Sequence, residues 1–188
     1  MKDFSLHLLD IIQNSVVAKA TQINISLGID KLKEYLTVVI WDNGCGMDGE
    51  MLKNVTSPFT TSRTSRKVGL GIPLYQESAL RAEGNFEIKS ELNKGTTVMA
   101  SFKVSNIDRL PLGDIADTLI TVIMGKPDID IILALNYCDT SFVFDTKEIK
   151  DKLGEVPITA FEVIGWIKEF INEGIISTFG GVLDEVSS

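Results

Sequence analysis

Apolar positions in the first 104 residues change repeatedly between helical and strand-like spacing. The opening segment has apolar residues at helical spacing behind Ser5, which can serve as an N-cap. Two later pairs of segments are rich in β-branched residues and are separated by polar turns, which is typical of hairpins. The pattern predicts a helix over 5–19, strands over 23–27 and 36–41, a helix over 72–83, and strands over 86–92 and 96–104.

Between the first hairpin and the second helix lies a long polar segment, residues 42–71. It contains few large apolar residues and many glycines, serines and threonines. A loop of this length inside a compact domain usually has a function. We therefore expect a functional loop here.

A second unit is predicted beyond residue 104. Its pattern predicts a helix over 114–124, strands over 129–135 and 141–144, and two further helices. Each of these last two helices begins with a capping-box pair and has a glycine where a C-cap belongs. The pairs are Asp145 with Glu148 and Thr159 with Glu162, and the glycines are Gly154 and Gly174.

The last helix carries an apolar stripe formed by Val163, Trp166, Ile167 and Phe170. Packing against a core is the ordinary explanation of such a stripe, and a docking face for a partner is the alternative.

Composition places the chain among globular proteins. Of its 188 residues, 44% are apolar, which is enough for a packed core. The sequence contains no apolar run of about 20 residues and no signal-peptide core, so we expect a cytoplasmic protein without a membrane span. Cys45 and Cys138 match no metal spacing and are expected to be reduced thiols.

Charge differs strongly between the two parts of the chain. Residues 1–104 hold 12 basic and 11 acidic side chains, whereas residues 105–188 hold 6 and 15. A segment this acidic repels phosphate backbones, which argues against nucleic-acid binding. A protein partner is the better expectation for residues 105–188.

The first candidate for chemistry lies on the opening helix. Asp10 and Asn14 are four residues apart and therefore project from one face, which His7 also joins. The amide oxygen of Asn14 suits Mg²⁺, which prefers oxygen ligands beside bound phosphates, and Asp10 could orient a nucleophile. For this helix alone, a solvated polar face is the simpler interpretation.

A second candidate directly follows the strand that ends at Trp41. The sequence Asp-Asn-Gly-Cys-Gly-Met of residues 42–47 combines a carboxylate with glycines that let the backbone approach a flat ligand. A carboxylate at a strand end can accept a hydrogen bond from an exocyclic amine such as that of adenine. By itself, the segment is also typical of a simple turn.

Two further elements favour anions and a purine. Residues 60–71 place basic and hydroxyl side chains before Gly69-Leu70-Gly71, which opens a helix, and both features favour phosphate. Gly95-Thr96-Thr97 enters a strand, where a hydroxyl could complete the contacts to adenine. Each element alone is weak, and a basic solvated loop or a turn would explain it.

In this order the four elements resemble the GHKL superfamily of gyrase, heat-shock chaperones, histidine kinases and mismatch-repair ATPases. The resemblance covers residues 1–104: residues 10–14 look like the N box, 42–46 the G1 box, 69–71 the G2 box, and Gly95 with Thr96 the last box. It implies an α+β protein with the two-layer α/β sandwich called the Bergerat fold. The two expected domains are an ATP-binding domain over 1–104 and a small acidic α+β domain over 105–188.

The resemblance also implies residue roles, with ATP and Mg²⁺ as ligands. Asn14 would be the magnesium ligand, Asp42 the adenine-reading carboxylate, and residues 60–71 the ATP lid. Asp10 would be the catalytic carboxylate, in place of the family's glutamate, and His7 a neighbour of the pocket rather than a phosphorylated residue. The expected nucleotide-binding residues are Asn14, Asp42, Gly44, Gly46, Met47, Thr60, Thr61, Arg63, Lys67, Gly69, Leu70, Gly71 and Thr96.

Two functions remain open on the sequence. The first is a slow ATPase or a serine/threonine protein kinase that acts on a regulatory protein partner, similar to stand-alone anti-sigma-type serine kinases. The second is a non-catalytic ATP-sensing module that docks a partner through its acidic part. A topoisomerase or mismatch-repair fragment is disfavoured because we find no transducer segment with a catalytic lysine in the remaining 84 residues. The strand and helix that usually precede the N box are missing, and residues 105–188 are expected to cover their place.

Overall fold

The computed structural model describes residues 3–183 except 31, 33 and 56–69. It contains six helices and six strands within these residues. In chain order they are α1 Phe4–Val17, β1 Gln22–Asp30, β2 Tyr35–Asp42, α2 Gly49–Val55, α3 Gly71–Arg81, β3 Phe86–Glu91, β4 Gly95–Lys103, α4 Ile115–Gly125, β5 Asp130–Tyr137, β6 Thr140–Asp145, α5 Thr146–Leu153 and α6 Phe161–Phe179.

All six strands form one mixed sheet in the order β3-β4-β2-β1-β5-β6. Neighbouring strands are antiparallel except for β1 and β5, which run parallel from the pair Gln22 and Asp130 to the pair Ile29 and Tyr137. The connection between these two parallel strands includes most of the first 104 residues. Their pairing is therefore a long-range contact that local sequence pattern does not encode.

Burial alternates along the central strands, which gives the sheet one covered face. In β1 every second residue is buried, and Ile23, Ile25 and Leu27 are at most 1% exposed. Helix α1 packs against α3 and α4, α4 packs against α6, and α3 and α6 pack on the sheet, with residues of all four helices in the shared core. The result is the two-layer α/β sandwich that the sequence predicts, and the fold class is confirmed.

Residues 105–183 extend this sandwich. Strand β5 pairs with the edge of β1, and α4 packs against α1. The segment thus extends the sheet and packs against the helix that carries the predicted N box. One continuous core includes Leu8 and Ile25 from the first part and Leu119 and Leu133 from the second. The division into domains 1–104 and 105–188 stays a prediction as regards independent folding, but the two segments share one sheet.

Arg109 ties the two ends of this second segment together. Its side chain is 7% exposed, and its guanidinium donates to the carbonyl oxygens of Val104 at 2.9 Å, Leu110 at 3.3 Å and Leu183 at 2.6 Å. The planar fork of a guanidinium can reach several acceptors at once. Arg109 thereby fixes the end of β4 to the turn that follows α6.

Most predicted elements are present, with two differences in the first part of the chain and a third at the caps of α6. Asp3, not Ser5, caps α1, and its carboxylate accepts from the amide of Leu6. The predicted loop over residues 42–71 contains α2. The predicted caps of α5 at Asp145 and Gly154 are confirmed.

The predicted caps of α6 are wrong. No side chain caps its start at Ala160, and the helix continues past Gly174 to Phe179, where Gly180 adopts the left-handed conformation. A side chain at Gly174 would collide with the ring of Phe142 on β6. This glycine therefore allows the helix to approach the sheet, which is a different role from a cap.

Among the described residues, no helix combines the length and the apolar character required to cross a membrane.

The apolar stripe of the last helix, α6, is divided between two environments. Ile167 is fully buried in the core, whereas Trp166 is 49% exposed. Core packing is therefore confirmed for Ile167, and the docking face stays a prediction.

Candidate functional site

The carboxylate of Asp42 lies at the end of β2 and is fixed by two hydrogen bonds. Asp42 is only 5% exposed. Its Oδ2 accepts from the hydroxyl of Ser15 at 2.8 Å, and its Oδ1 accepts from the amide of Gly44 at 2.8 Å. Because each carboxylate oxygen has two lone pairs, both can accept a further bond from a ligand. The arrangement is a buried acceptor with a fixed direction.

Ser15 is a site residue that the sequence analysis missed. It lies on α1 directly after Asn14 and is 2% exposed, and its hydroxyl also lies 3.3 Å from the carbonyl oxygen of Ile11. A serine within a helix, even in its last turn, is less favourable than alanine unless its hydroxyl finds a partner. That local signal could have pointed to Ser15, but only the fold identifies Asp42 as its partner.

The loop that follows Asp42 is attached to the turn between β3 and β4. Gly46 has φ of +62°, and a Cβ at this residue would overlap the backbone carbonyl of Glu91. The amide of Asn93 donates to the carbonyl oxygen of Cys45 at 2.7 Å. Only glycine fits at position 46, because both its backbone angle and the space beside it exclude a side chain.

Cys45 and Cys138 are both exposed thiols that form no disulfide.

Ser90 on β3 joins this loop to the predicted last box. Its hydroxyl accepts from the amide of Met47 at 2.8 Å, donates to the carbonyl oxygen of Gly95 at 3.0 Å, and lies 2.9 Å from the hydroxyl of Thr96. Thr96 is the direct cross-strand partner of Asp42. The structure thus brings Asp42, Gly46, Met47 and Thr96 to one end of the sheet. Ser90 had no signal in the sequence.

Asp10 lies against the beginning of α3. It is half-buried on α1, and a Cβ on Gly71 would come within 2.9 Å of both its Cβ and its Oδ2. Gly71 therefore permits the close approach of the two helices. Leu70 precedes α3 without a capping side chain and is 62% exposed. The start of an uncapped helix favours anions, because its first amides have no partner within the helix.

Asn14 lies one turn beyond Asp10 and is exposed on α1. Its side chain is therefore accessible to a ligand. An amide oxygen and a neighbouring carboxylate are the hard donors that Mg²⁺ prefers, so the residues present suit this ion. The glycines at positions 46 and 71 let other parts of the chain approach closely, the backbone of Glu91 at Gly46 and the side chain of Asp10 at Gly71, so they hold the elements of the site together.

His7 is part of the core. It is 3% exposed, its ring centroid lies 5.4 Å from that of Tyr75, and its Nδ1 has no hydrogen-bond partner among the described residues. Burial lowers the pKa of His7, as does the positive N-terminus, while Asp10 and Asp3 oppose the shift. A buried neutral imidazole is a poor acceptor of a phosphoryl group in solution. Burial also raises the pKa of Tyr75 well above its ordinary value.

Five residues expected in the nucleotide site lie outside the described residues. They are Thr60, Thr61, Arg63, Lys67 and Gly69. The expected lid over residues 60–71 is thus described only at Leu70 and Gly71.

Comparison with protein families gives a match over residues 3–106 to the histidine kinase-, DNA gyrase B-, and HSP90-like ATPases. The chain belongs to this family. The match includes every site residue described above, from His7 to Thr96. It ends close to the predicted boundary at residue 104.

Curated relatives match about half of the chain. A sensor protein of Shewanella frigidimarina is 35% identical over 103 residues, which are 54% of this chain and 16% of that protein. Sporulation kinase D of Bacillus subtilis is 37% identical over 84 residues, 45% of this chain and 16% of the kinase. The phosphoglycerate transport system sensor protein PgtB of Salmonella typhimurium is 32% identical over 103 residues, 54% of this chain and 15% of PgtB. The chain thus spans about a sixth of the length of these relatives.

Solved structures show likeness of fold. The N-terminal domain of a DNA repair protein superposes with a TM-score of 0.51 at 16% identity, over 76% of this chain and 52% of that chain. The Aquifex aeolicus MutL ATPase domain complexed with ADP gives a TM-score of 0.49 at 17% identity, over 72% of this chain and 60% of that chain. The first match extends over more of the chain than the 104 residues of the family match, so the shared fold includes part of the C-terminal segment.

Proposed function

We propose that this chain binds ATP with Mg²⁺ and is a slow ATPase or a serine/threonine protein kinase that acts on a regulatory protein partner. The observation that carries the proposal is the carboxylate of Asp42. It is buried at a strand end, is fixed by Ser15 and Gly44, and lies beside Thr96. Family membership makes ATP the expected nucleotide.

Adenine selectivity follows from the chemistry of a fixed acceptor. Adenine presents an exocyclic amine where guanine presents a carbonyl oxygen, so a carboxylate at that place favours adenine. A hydrogen bond to a charged acceptor contributes about 1.5 to 3 kcal/mol. Gly44, whose amide donates to Asp42, would border the base, and so would Gly46 and Met47, which follow in the same loop.

The phosphate end is proposed to lie between α1 and the start of α3. Mg²⁺ would neutralise phosphate charge there, with Asn14 as its protein ligand. The beginning of α3 at Leu70 and Gly71 would face the phosphates. Thr60, Thr61, Arg63, Lys67 and Gly69 would complete these contacts, according to the resemblance.

Asp10 is the proposed catalytic residue. Its half-buried carboxylate touches the start of α3 and precedes Asn14 by one helical turn. From this position it would accept the proton of the attacking water or serine hydroxyl. The burial of His7 in the core argues against that role for it.

A non-catalytic ATP sensor is the second candidate. The observation in its favour is the close fit of Asp10 against Gly71, because a short side chain confined between two helices has little freedom to reach a nucleophile. The acidic C-terminal segment would then dock the partner in response to ATP.

Calorimetric titration with ATP and GTP in the presence of Mg²⁺ tests the proposed function. Wild type should bind ATP and prefer it to GTP, and Asp42→Asn should bind ATP more than tenfold more weakly, because the amide presents an N–H donor and no charge. Gln22→Glu, a change of charge at the half-buried start of the neighbouring strand, is the control and should bind as wild type. Equal ATP affinity in wild type and Asp42→Asn would refute the assignment.

Incubation with γ-labelled ATP and Mg²⁺, with and without cell extract, separates the two candidates. Released phosphate or a labelled protein with acid-stable label supports the ATPase or kinase. ATP binding without release or transfer supports the sensor. Acid-labile label on the chain that disappears in His7→Ala would contradict both.

A further inference from the structure

An open apolar groove lies between α5 and the first half of α6, away from the candidate nucleotide site. Its volume is about 410 Å³, and its lining consists of Ile149, Lys152 and Leu153 from α5 and Glu162, Val163 and Trp166 from α6. None of these residues belongs to the site around Asp42. Helix α5 has eight residues and is therefore about 12 Å long, which matches about two turns of a bound helix.

The aromatic residue of this groove, Trp166, is fixed by a series of ring contacts. The ring of Trp166 stacks on Phe170 with centroids 5.0 Å apart and planes 12° apart, and Phe170 contacts Phe142 of β6 at 5.0 Å. Trp166 is nevertheless 49% exposed. A fixed, exposed indole loses little conformational entropy on binding, which is why such residues are frequent at the centres of interfaces.

Further exposed apolar side chains lie in the same stretch of sequence. Phe161, the first residue of α6, is 88% exposed, and Val156 in the α5–α6 connection is 50% exposed. Large apolar side chains clustered around an open groove indicate an interaction surface, whereas isolated ones do not. Ile149, Leu153, Val163 and Trp166 form such a cluster in the groove.

Charge around the groove determines which partner fits. Residues 146–179 contain six acidic side chains and four lysines, and two of these lysines are engaged in ion pairs, Lys150 with Asp130 and Lys168 with Asp117. This segment therefore carries a net negative charge, while the groove lining itself holds one lysine, Lys152, and one glutamate, Glu162. A basic partner is attracted to it, and a second copy of this segment, which holds 15 acidic against 6 basic side chains over residues 105–188, is repelled.

We infer that the α5–α6 groove binds an amphipathic helix of a partner protein, with apolar residues on one face and lysine or arginine on its flanks. Apolar side chains at positions i, i+3, i+4 and i+7 of that helix would fill the groove against Trp166 and Leu153. Its basic flanks would face Glu162 and the other acidic residues. The inference rests on the proposed function only in that both involve a protein partner.

A displayed peptide library tests this inference directly. Each peptide has 14 residues with fixed leucines at i, i+3, i+4 and i+7, and with every flanking position either lysine or glutamate. Selection on the full chain should enrich lysine at the flanking positions. Absence of enrichment, or equal lysine and glutamate among the selected peptides, would overturn the inference.

The selected peptide, carrying a fluorescent label, is then titrated with variants of the full chain. Trp166→Ala should weaken binding at least about tenfold, because it removes the central anchor. Glu162→Lys changes an exposed residue, so folding is retained, and it should weaken the lysine-rich peptide while improving a glutamate-rich one. Ile176→Ala changes another exposed residue of α6, about 15 Å along the helix from Trp166, and should leave binding unchanged.

Two outcomes would contradict the proposed occupant. Unchanged affinity in both Trp166→Ala and Glu162→Lys would place the peptide elsewhere. A wild-type dimer that Trp166→Ala dissociates, measured by sedimentation, would make a second copy the occupant. Calorimetry with ATP on the wild-type preparation keeps the two proposals separate. A wild-type chain that binds ATP but selects no peptide rejects only the groove, and one that binds the selected peptide but not ATP rejects only the nucleotide site.

Discussion

Replacing Ser15 with alanine isolates the contact that connects α1 to the proposed adenine-reading carboxylate. The hydroxyl of Ser15 donates to Oδ2 of Asp42 at 2.8 Å, and both residues are at most 5% exposed. Alanine lacks only the hydroxyl oxygen, so the change removes the hydrogen bond with little change in packing. Oδ1 keeps its bond from the amide of Gly44.

The size of the effect follows from the burial of both partners. A hydrogen bond to a charged group contributes about 1.5 to 3 kcal/mol, and a buried acceptor left without a donor costs a similar amount. We expect Ser15→Ala to lower the free energy of unfolding by about 1.5 to 3 kcal/mol. The carboxylate of Asp42 also loses its fixed direction, and reorienting it costs about 1 to 1.4 kcal/mol, so ATP should bind about five- to tenfold more weakly.

Urea unfolding and ATP calorimetry on the same protein measure the two effects. Ser5→Ala is the matched control, since Ser5 is also on α1, is 5% exposed and donates to a carboxylate, that of Asp3, at 2.7 Å. It should lower stability and leave ATP affinity within about twofold. If Ser15→Ala lowers stability and binds ATP as wild type does, Ser15 supports only the fold and our reasoning about Asp42 is wrong.

Three further changes test the chemistry, the pH dependence and the packing. Asp10→Asn should reduce any phosphate release or transfer about 10²- to 10⁴-fold in an assay with labelled ATP, with ATP affinity retained, because it removes the proposed base. The pKa of the only histidine, His7, is below its unfolded value near 6.5, so the unfolded chain binds more protons and the free energy of unfolding decreases as pH falls below about 6.5. The slope of the free energy of unfolding that His7 causes is at most about 1.4 kcal/mol per pH unit. His7→Gln should remove it, as measured by urea unfolding between pH 5 and 7.5. Arg109→Ala and Arg109→Lys should both lower the free energy of unfolding, by about 2 to 4 kcal/mol for alanine. Neither side chain can bond the carbonyl oxygens of Val104, Leu110 and Leu183 at the same time. Equal urea midpoints in wild type and variants would contradict this expectation.

Local pattern predicted the elements well where the chain itself contains the cause. Strands β1 and β2 alternate in burial as their β-branched sequences indicate, and α5 begins and ends at Asp145 and Gly154, where capping chemistry is local. Pattern failed at Gly174, because the ring of Phe142 on a different element decides what fits there. The sequence alone does not distinguish a glycine that ends a helix from a glycine that leaves room for a side chain of another element.

The same distinction applies to the candidate site. The sequence by itself determined the types and order of the residues that meet at the end of the sheet, including Asp42 and Thr96, because strand ends and glycine turns are encoded within a few residues. Only the tertiary structure decided that Ser15 and Ser90 hold these residues, that His7 is buried, and that β5 joins the free edge of β1. Contacts between residues far apart in the chain depend on how elements pack, and the packing follows from the burial of the whole apolar surface rather than from any single segment.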